Sequence, residues 1–223
     1  DILNLRYYWL TRVKFNGIDL IISRTGWSGE LGYELYLSDY EKGSFLFNEI
    51  MKQGESFSVA AGSVNQARRI EAGILSWGVE MSQEENPYEV NLGRLVEFTD
   101  GGKFIGRDAA LHYSKQDQVK GLVGLKMMPP AIESNEKPWL IFNGENVIGK
   151  LTSVAYSPRL KFNIGLGLVC KQFTKLGTKL LVQGCDENYD AEVVPIPFLE
   201  KRQMSNAKEL ALEFNQLNKE RGN

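Results

Sequence analysis

The sequence predicts an α+β region followed by a small all-β domain, either a sandwich or a barrel, and then a C-terminal helix. The first half alternates strand-like runs with two helical segments, whereas short strands separated by turn clusters fill residues 119–195. Short strands at this spacing are typical of a small sandwich or barrel. We expect domains at residues 1–116 and 117–200 and a helical tail at 201–223.

The α+β region begins with a hairpin over Tyr7–Arg24. Apolar runs flank Asn16-Gly17, a dipeptide that suits a type I′ turn, and the second run at Ile18–Ser23 predicts a buried strand. A loop with three glycines, Thr25–Gly32, leads into a short strand at Tyr33–Leu37.

Two helices follow this strand. Ser38 with Glu41 three residues later has the pattern of a capping box, and the helix that it opens ends near Gly54. The apolar residues of this helix fall on one face: Leu46, Phe47, Ile50 and Met51. The second helix is expected over Val64–Ala72 and ends at Gly73.

The second half has the pattern of a β domain with short additions. Arg107-Asp108 opens a short helix that carries His112. Six strands are then expected, at Val119–Met127, Trp139–Phe142, Val147–Ala155, Ile164–Cys170, Lys179–Gln183 and Ala191–Pro195. Apolar residues at helical spacing predict a packing helix over Ser205–Arg221.

Composition excludes several classes of protein. Hydrophobic residues make up 43% and charged residues 24%, and 26 basic against 28 acidic residues argue against a nucleic-acid partner or a polybasic membrane anchor. No run approaches the roughly 18 apolar residues of a spanning helix. Cys170 and Cys185 lack zinc spacing and indicate a reducing compartment, and we expect a cytoplasmic protein. With a single histidine, His112, no multi-histidine metal site is possible, and we assign no metal ligand.

The chain starts at Asp1 without a methionine or the features of a signal peptide. Either a terminus has been trimmed or the sequence begins inside a longer protein. We expect a fragment of a longer protein.

Charged residues in the first half are the candidates for chemistry. Glu34 lies in the short strand after the glycine loop, where a buried carboxylate is unfavourable unless it is paired; the alternative is that it faces water. Arg69 and Glu71 are too close in sequence to face each other on a helix. Either one of these charges points inward, or Glu71 pairs with Arg68 on a solvated face.

Several motifs, in order, carry a family resemblance. The segment Arg24–Leu35 reads Arg-Thr-Gly-Trp-Ser-Gly-Glu-Leu-Gly-Tyr-Glu-Leu, and Arg69–Gly73 reads Arg-Ile-Glu-Ala-Gly. Both closely resemble signatures of the glycine-cleavage T-protein family of tetrahydrofolate-dependent aminomethyltransferases. Further segments that are similar to this family's motifs are Asn86–Gly93, Phe104–Ala109, Tyr156–Gly167 and Ala191–Phe198. The resemblance covers about residues 14–200.

Details of these motifs leave the branch of the superfamily open. Trp27 and Arg94 stand where T-proteins usually have Tyr and Trp, and both resemble the dimethylsulfoniopropionate demethylase branch. Gly29-Glu30, by contrast, is similar to the T-protein form.

The resemblance implies a folate site. The 2-amino group and ring N–H of a pterin are two parallel donors, and the family implies that the Glu34 carboxylate accepts both. It implies that Trp27 packs against the pterin ring, with Tyr36 and Trp77 as further walls. Arg69 is implied to lie near the folate, where it engages a polar edge or holds Glu34 ionised.

The resemblance also implies an activity and partners. The family's catalytic aspartate belongs to the part that precedes Asp1, so we assign no catalytic residue and expect this chain alone to be inactive. The implied reaction transfers an aminomethyl or methyl group to tetrahydrofolate from a small amine or sulfonium compound. The implied partner is the missing N-terminal part of the same protein, with a lipoyl-carrier protein left open. The alternatives are a demethylase-like methyltransferase and a non-catalytic folate-binding module.

Overall fold

The structure is a computed structural model, and it describes residues 2–99, 102–185 and 187–199 together with Glu209 and Leu212. The described residues form two compact units, one within residues 1–65 and one within residues 66–200. The helix expected over Ser205–Arg221 lies outside the described residues, apart from Glu209 and Leu212. The expected division at residues 116 and 117 stays a prediction.

A three-stranded antiparallel sheet forms the first unit, with β1 (Leu10–Phe15), β2 (Ile18–Ser23) and β3 (Glu34–Leu37) in that order. Asn16 and Gly17 join β1 to β2 at φ values of 47° and 80°. Two positive φ values in succession are what a type I′ turn requires, and they match the twist of the flanking strands. The predicted hairpin is therefore confirmed.

Helix α1 (Gly43–Gly54) packs on one face of this sheet and ends where the sequence predicts. Its Leu46 joins the buried Ile18 and Leu20 of β2 in a small core. Of the four apolar residues expected on one face of this helix, Leu46 is buried whereas Phe47 is 52% exposed.

The predicted capping box at Ser38 is wrong. Asp39 is the cap, and its Oδ1 accepts a hydrogen bond of 3.3 Å from the backbone N–H of Glu41. A short 3₁₀ helix, Tyr40–Lys42, starts there and leads into α1. An N-cap side chain accepts from the second or third amide of its helix, and Asp39 does so here.

Six antiparallel strands close into a barrel in the second unit. They are β4 (Lys120–Met127), β5 (Trp139–Asn143), β6 (Asn146–Ser157), β7 (Phe162–Cys170), β8 (Lys179–Gln183) and β9 (Asn188–Val194). Their order is β4-β7-β6-β5-β8-β9, and β9 pairs back onto β4. The structure thus confirms the small all-β domain and decides for the barrel over the sandwich.

Buried apolar side chains form the core of the barrel. Its fully buried side chains include Leu125, Met127, Ile141, Leu151, Val169 and Val182. Gly149 lets β6 approach β7 closely, because a Cβ at this position would collide with the backbone carbonyl of Leu168 in β7. A tight barrel of six strands requires residues without side chains at such points.

Helix α2 (Gln66–Glu71) packs on the outside of β6 and β7, where Ile70 contacts a second apolar cluster. Gly73, at φ 62°, donates its N–H to the Ile70 carbonyl at 2.8 Å and ends the helix as predicted. Helix α3 (Arg107–Ser114) is the short helix expected near His112. In the described part of the chain, no helix has the length and hydropathy that crossing a bilayer needs.

A buried carboxylate lies in the loop between α2 and the barrel. The Glu85 side chain is 1% exposed and has the ammonium groups of Lys120 and Lys150 at 3.8 and 3.9 Å. Burial raises the pKa of Glu85, but hydrogen bonds from the Ser82 hydroxyl and N–H, together with the two lysines, outweigh it and hold the pKa below its ordinary value.

Candidate functional site

Glu34 is the first residue of β3 and lies directly opposite Ser23, the last residue of β2. Side chains of directly opposite residues project from the same face of an antiparallel pair. The glycine-containing loop that joins these strands begins at Arg24 and brings Thr25 back towards the carboxylate. The strand pairing therefore places a hydroxyl-bearing segment next to the carboxylate.

Two hydroxyl groups bond to the Glu34 carboxylate, and both bond to the same oxygen. Thr25 Oγ1 donates a hydrogen bond to Oε2, and Tyr36 Oη donates to Oε2 at 3.3 Å. Ser23 Oγ lies 2.8 Å from Thr25 Oγ1. No described residue donates to Oε1. Glu34 is thus an exposed carboxylate with one oxygen anchored and the other open.

Aromatic side chains near this carboxylate in sequence are exposed. Trp27 follows Thr25 by two residues and is 42% exposed, and Tyr36 on the Glu34 face of β3 is 53% exposed. Exposed indole and phenol rings are surfaces on which a flat heterocycle stacks. The first unit therefore holds a carboxylate acceptor and aromatic surfaces within one loop-and-strand segment.

Arg69, the predicted cation of the site, lies in the second unit and is 2% exposed. Its Nε donates to Gln66, its Nη1 to the Ile74 carbonyl and to Glu80, and its Nη2 to Glu80 and Ser153. A guanidinium has five N–H donors. All five are used by described residues, so this geometry gives Arg69 a role in the packing of the second unit.

Glu80 is the acceptor that faces Arg69, and it is fully buried. Besides the arginine, it accepts hydrogen bonds from the Ser76 N–H at 2.7 Å and from the Thr152 and Ser153 hydroxyls. Four groups thus compensate the buried charge, as a buried carboxylate requires.

Trp77, the last predicted wall residue, lies in the loop between Ser76 and Glu80 and is 64% exposed. It forms an isolated bridge with Met81, and the positive φ of 82° at Gly78 lets the chain turn there. The same turn that buries Glu80 exposes the indole.

Glu71, next to Arg69 in the predicted motif, also points inward. It is 2% exposed and accepts hydrogen bonds from Ser157 at 2.5 Å and from Arg159 Nε at 2.9 Å. The alternative of a solvated Arg68–Glu71 pair is therefore wrong. Both charges of the motif join α2 to β6 and the turn after it.

Sequence reasoning missed Ser23 and Thr25 as partners of Glu34. The signal was present: a serine ends a predicted strand, a threonine opens the loop that follows, and the glutamate lies in the next predicted strand. It also missed Glu80 as the partner of Arg69, a lone carboxylate between Val79 and Met81. Among the described residues, no cluster of His, Cys, Asp and Glu has the arrangement to hold a metal ion.

Two family profiles match this chain. The profile described as the GCVT N-terminal domain matches residues 1–100, and the one described as the glycine cleavage T-protein C-terminal barrel domain matches residues 120–200. Together they cover both the sheet with Glu34 and the barrel.

Curated proteins similar to this chain include a demethylase and aminomethyltransferases. A dimethylsulfoniopropionate demethylase of Ruegeria pomeroyi is 30% identical over 82% of this chain and 50% of its own length. Aminomethyltransferases of Caldanaerobacter subterraneus and Koribacter versatilis are 32% and 33% identical over 87% and 92% of this chain and 52% and 54% of their own lengths. The chain spans about half the length of the curated relatives it matches.

A solved structure has the same fold. The glycine cleavage system aminomethyltransferase T of Bartonella henselae aligns with a TM-score of 0.77 at 23% identity, over 89% of this chain and 54% of that one. The order of motifs, the two matching profiles and the shared fold agree. The chain belongs to the glycine-cleavage T-protein superfamily.

Proposed function

We propose that this chain carries the pterin-recognition part of a tetrahydrofolate-dependent one-carbon transferase. The observation that carries the proposal is the state of Glu34: Oε2 is anchored by Thr25, and Oε1 has no donor among the described residues. A carboxylate in this state accepts two parallel N–H donors. The edge of a pterin, with its 2-amino group beside a ring N–H, presents that pair.

The residues of the first unit fit this group. Hydrogen bonds to a charged acceptor contribute about 1.5–3 kcal/mol each, and a ligand that covers the carboxylate strengthens them by excluding water. Trp27 and Tyr36 offer exposed rings for the pterin plane. When bound, tetrahydrofolate supplies the nitrogen atoms that receive the one-carbon unit. Glu34 binds and orients the cofactor, and Trp27 stacks on it.

Trp77 and Arg69, the two predicted site residues of the second unit, have other roles in the proposal than Glu34 and Trp27. Trp77 is exposed and remains proposed as a wall. Arg69, whose donors are used by Glu80 and its neighbours, is proposed to act through the packing of its own unit.

The relatives support two donors for the transferred group, an aminomethyl group on an amine and a methyl group on a sulfonium compound, and the proposal includes both. A lipoyl-carrier protein is the proposed partner for transfer of the aminomethyl group. The reaction is proposed for the family arrangement as a whole, since the chain spans about half of its relatives and we assign no catalytic residue in it. A cytoplasmic location stays a prediction.

Calorimetric titration of the chain with tetrahydrofolate tests the proposal. Glu34→Gln replaces one acceptor oxygen with an NH₂ group that faces a ligand donor. We expect the affinity to fall at least tenfold, since about 1.4 kcal/mol corresponds to a factor of ten. Glu41→Gln, an exposed change in the same unit, is the matched control and is expected to bind like the wild type. Equal affinities for Glu34→Gln and the wild type contradict the proposal.

A further inference from the structure

The two hydroxyl groups on Glu34 Oε2 are held differently. Thr25 donates to Oε2 from a side chain that is half-buried in the loop. Tyr36 makes a contact of 3.3 Å from a ring that is 53% exposed. A hydrogen bond of that length from an exposed side chain is weak and is easily exchanged for water or a ligand.

A third hydroxyl fixes the direction of this network. Ser23 Oγ lies 2.8 Å from Thr25 Oγ1, and either atom is able to donate. A threonine hydroxyl has one hydrogen, and Thr25 gives that hydrogen to Glu34, because an ionised carboxylate only accepts. Ser23 therefore donates to Thr25, which gives the order Ser23 to Thr25 to Glu34. Ser23 is 8% exposed and sits in the paired strand β2, so the chain of hydroxyls starts from a fixed point.

We propose that Thr25, oriented by Ser23, is the positioning residue of the pterin site: it pins Oε2 so that Oε1 stays open towards the ligand. The proposal rests on the proposed function of Glu34. A glutamate side chain has three rotatable bonds, and an exposed one samples many rotamers. Without Thr25, the carboxylate has to be ordered when the ligand binds, and affinity falls by that cost.

Thr25 also determines which lone pairs of the Glu34 carboxylate remain available to a ligand. With its hydroxyl on one side of Oε2, the weaker Tyr36 contact on the same oxygen is the one that a ligand donor displaces. One ligand N–H then bonds to Oε1 and the other takes the Tyr36 position on Oε2. The hydroxyl groups of Ser23 and Thr25 thus determine which two acceptor positions on the Glu34 carboxylate are available to the pterin.

Substitutions of equal shape test this role. Thr25→Val removes the hydroxyl and keeps the volume, Thr25→Ser keeps the hydroxyl, and Thr11→Val in β1 is the matched control outside the network. In calorimetry with tetrahydrofolate, we expect Thr25→Val to weaken binding about tenfold, Thr25→Ser to restore it to within about twofold of the wild type, and Thr11→Val to bind as the wild type does. Tyr36→Phe is expected to lose less than Thr25→Val.

A second measurement uses no ligand. Side-chain couplings of Glu34 by NMR are expected to show one dominant rotamer in the wild type and in Thr25→Ser, and rotamer averaging in Thr25→Val. A single rotamer in Thr25→Val overturns the inference whether or not tetrahydrofolate binds.

The outcomes separate this inference from the proposed function. If Glu34→Gln binds tetrahydrofolate as well as the wild type, or if the wild type does not bind it, the proposed function fails and the rotamer measurement alone decides the role of Thr25. If Glu34→Gln weakens binding and Thr25→Val does not, the function stands and the positioning role of Thr25 is wrong.

Discussion

The buried pair of Arg69 and Glu80 gives the sharpest stability prediction. Their charged groups are 2.9 Å apart, and the two side chains are 3% and 0% exposed. Arg69→Met keeps much of the length of the side chain and removes the charge. Glu80 then remains buried with its Ser76, Thr152 and Ser153 donors but without the cation.

The size of the expected loss follows from this burial. Removing one partner of a buried ion pair leaves an uncompensated charge and costs about 3–5 kcal/mol. Whole domains are stable by about 5–15 kcal/mol, so the loss is about a fifth of the total or more. Removing both charges in Arg69→Met/Glu80→Leu leaves neither one buried alone. We therefore expect the double variant to lose less than the sum of the two single variants.

Amide hydrogen exchange of the β6 and β7 strands measures this stability in the unit that contains the pair. The rates report the free energy of opening strand by strand, and urea unfolding gives an independent value. Arg68→Met, the exposed neighbour on the same helix, is the control and is expected to change the free energy of unfolding by about 0.5 kcal/mol or less.

A different pattern of losses would contradict the packing role of Arg69. If Arg69→Met leaves exchange in β6 and β7 unchanged and lowers the affinity for tetrahydrofolate instead, Arg69 is a ligand residue, as the sequence motif implied. Loss of stability with unchanged affinity supports the packing role.

Three further predictions concern packing, pH and the ligand. Gly149→Ala is expected to lower the free energy of unfolding by about 1–3 kcal/mol, measured in urea, because the new Cβ meets the Leu168 carbonyl. The folded state lowers the pKa of Glu85, so the ionised carboxylate stabilises the fold at neutral pH, and this stabilisation is lost as the pH falls through the folded pKa. In a plot of the urea unfolding midpoint against pH, Glu85→Gln should therefore flatten the acid limb. Trp27→Ala should weaken tetrahydrofolate binding by about 0.5–1.5 kcal/mol in calorimetry, through the lost stacking surface.

Each of these has a control and a contradicting result. Gly102→Ala, where a Cβ meets nothing within 4 Å, should be neutral; an equally neutral Gly149→Ala contradicts the close approach of the strands. Glu145→Gln, an exposed change in a turn, should leave the acid limb unchanged, and an acid limb as steep in Glu85→Gln as in the wild type contradicts the pH argument. Trp27→Phe should retain most of the affinity, and wild-type affinity in Trp27→Ala argues against stacking.

The sequence predicts the local elements of this fold well because their signals are local. The Asn16-Gly17 turn sets the hairpin, and turn clusters at regular spacing set the six barrel strands. The sequence pattern predicts Ser38 as the cap of the first helical turn, whereas the structure has Asp39. Serine and aspartate are both good caps, so the pattern alone does not distinguish them. The structure begins the first turn at Tyr40, which makes Asp39 the cap.

Long-range partners explain what the sequence does not predict. The Arg69 side chain points towards Glu80, 11 residues away, and the Glu71 side chain points towards Arg159, 88 residues away. Helical spacing alone cannot anticipate such pairs. The sequence does not decide between a sandwich and a barrel for the same reason, because closure depends on the pairing of β4 with β9, the first and last strands of the domain.

The candidate site combines residues predicted from the family resemblance with contacts that only the structure reveals. Glu34, Trp27, Tyr36 and Trp77 follow from the family resemblance, and the structure shows all four exposed. The open Oε1 and the hydroxyls of Ser23 and Thr25 come from strand pairing, which motif matching does not describe.

A crystal structure of this chain with bound tetrahydrofolate would test the role of Glu34 in pterin recognition directly. We expect the pterin edge to lie against Glu34, with the 2-amino and ring nitrogens each about 2.7–3.2 Å from one carboxylate oxygen and the Trp27 indole against the ring. A pterin bound elsewhere, with Oε1 of Glu34 still in solvent, would overturn the proposed recognition.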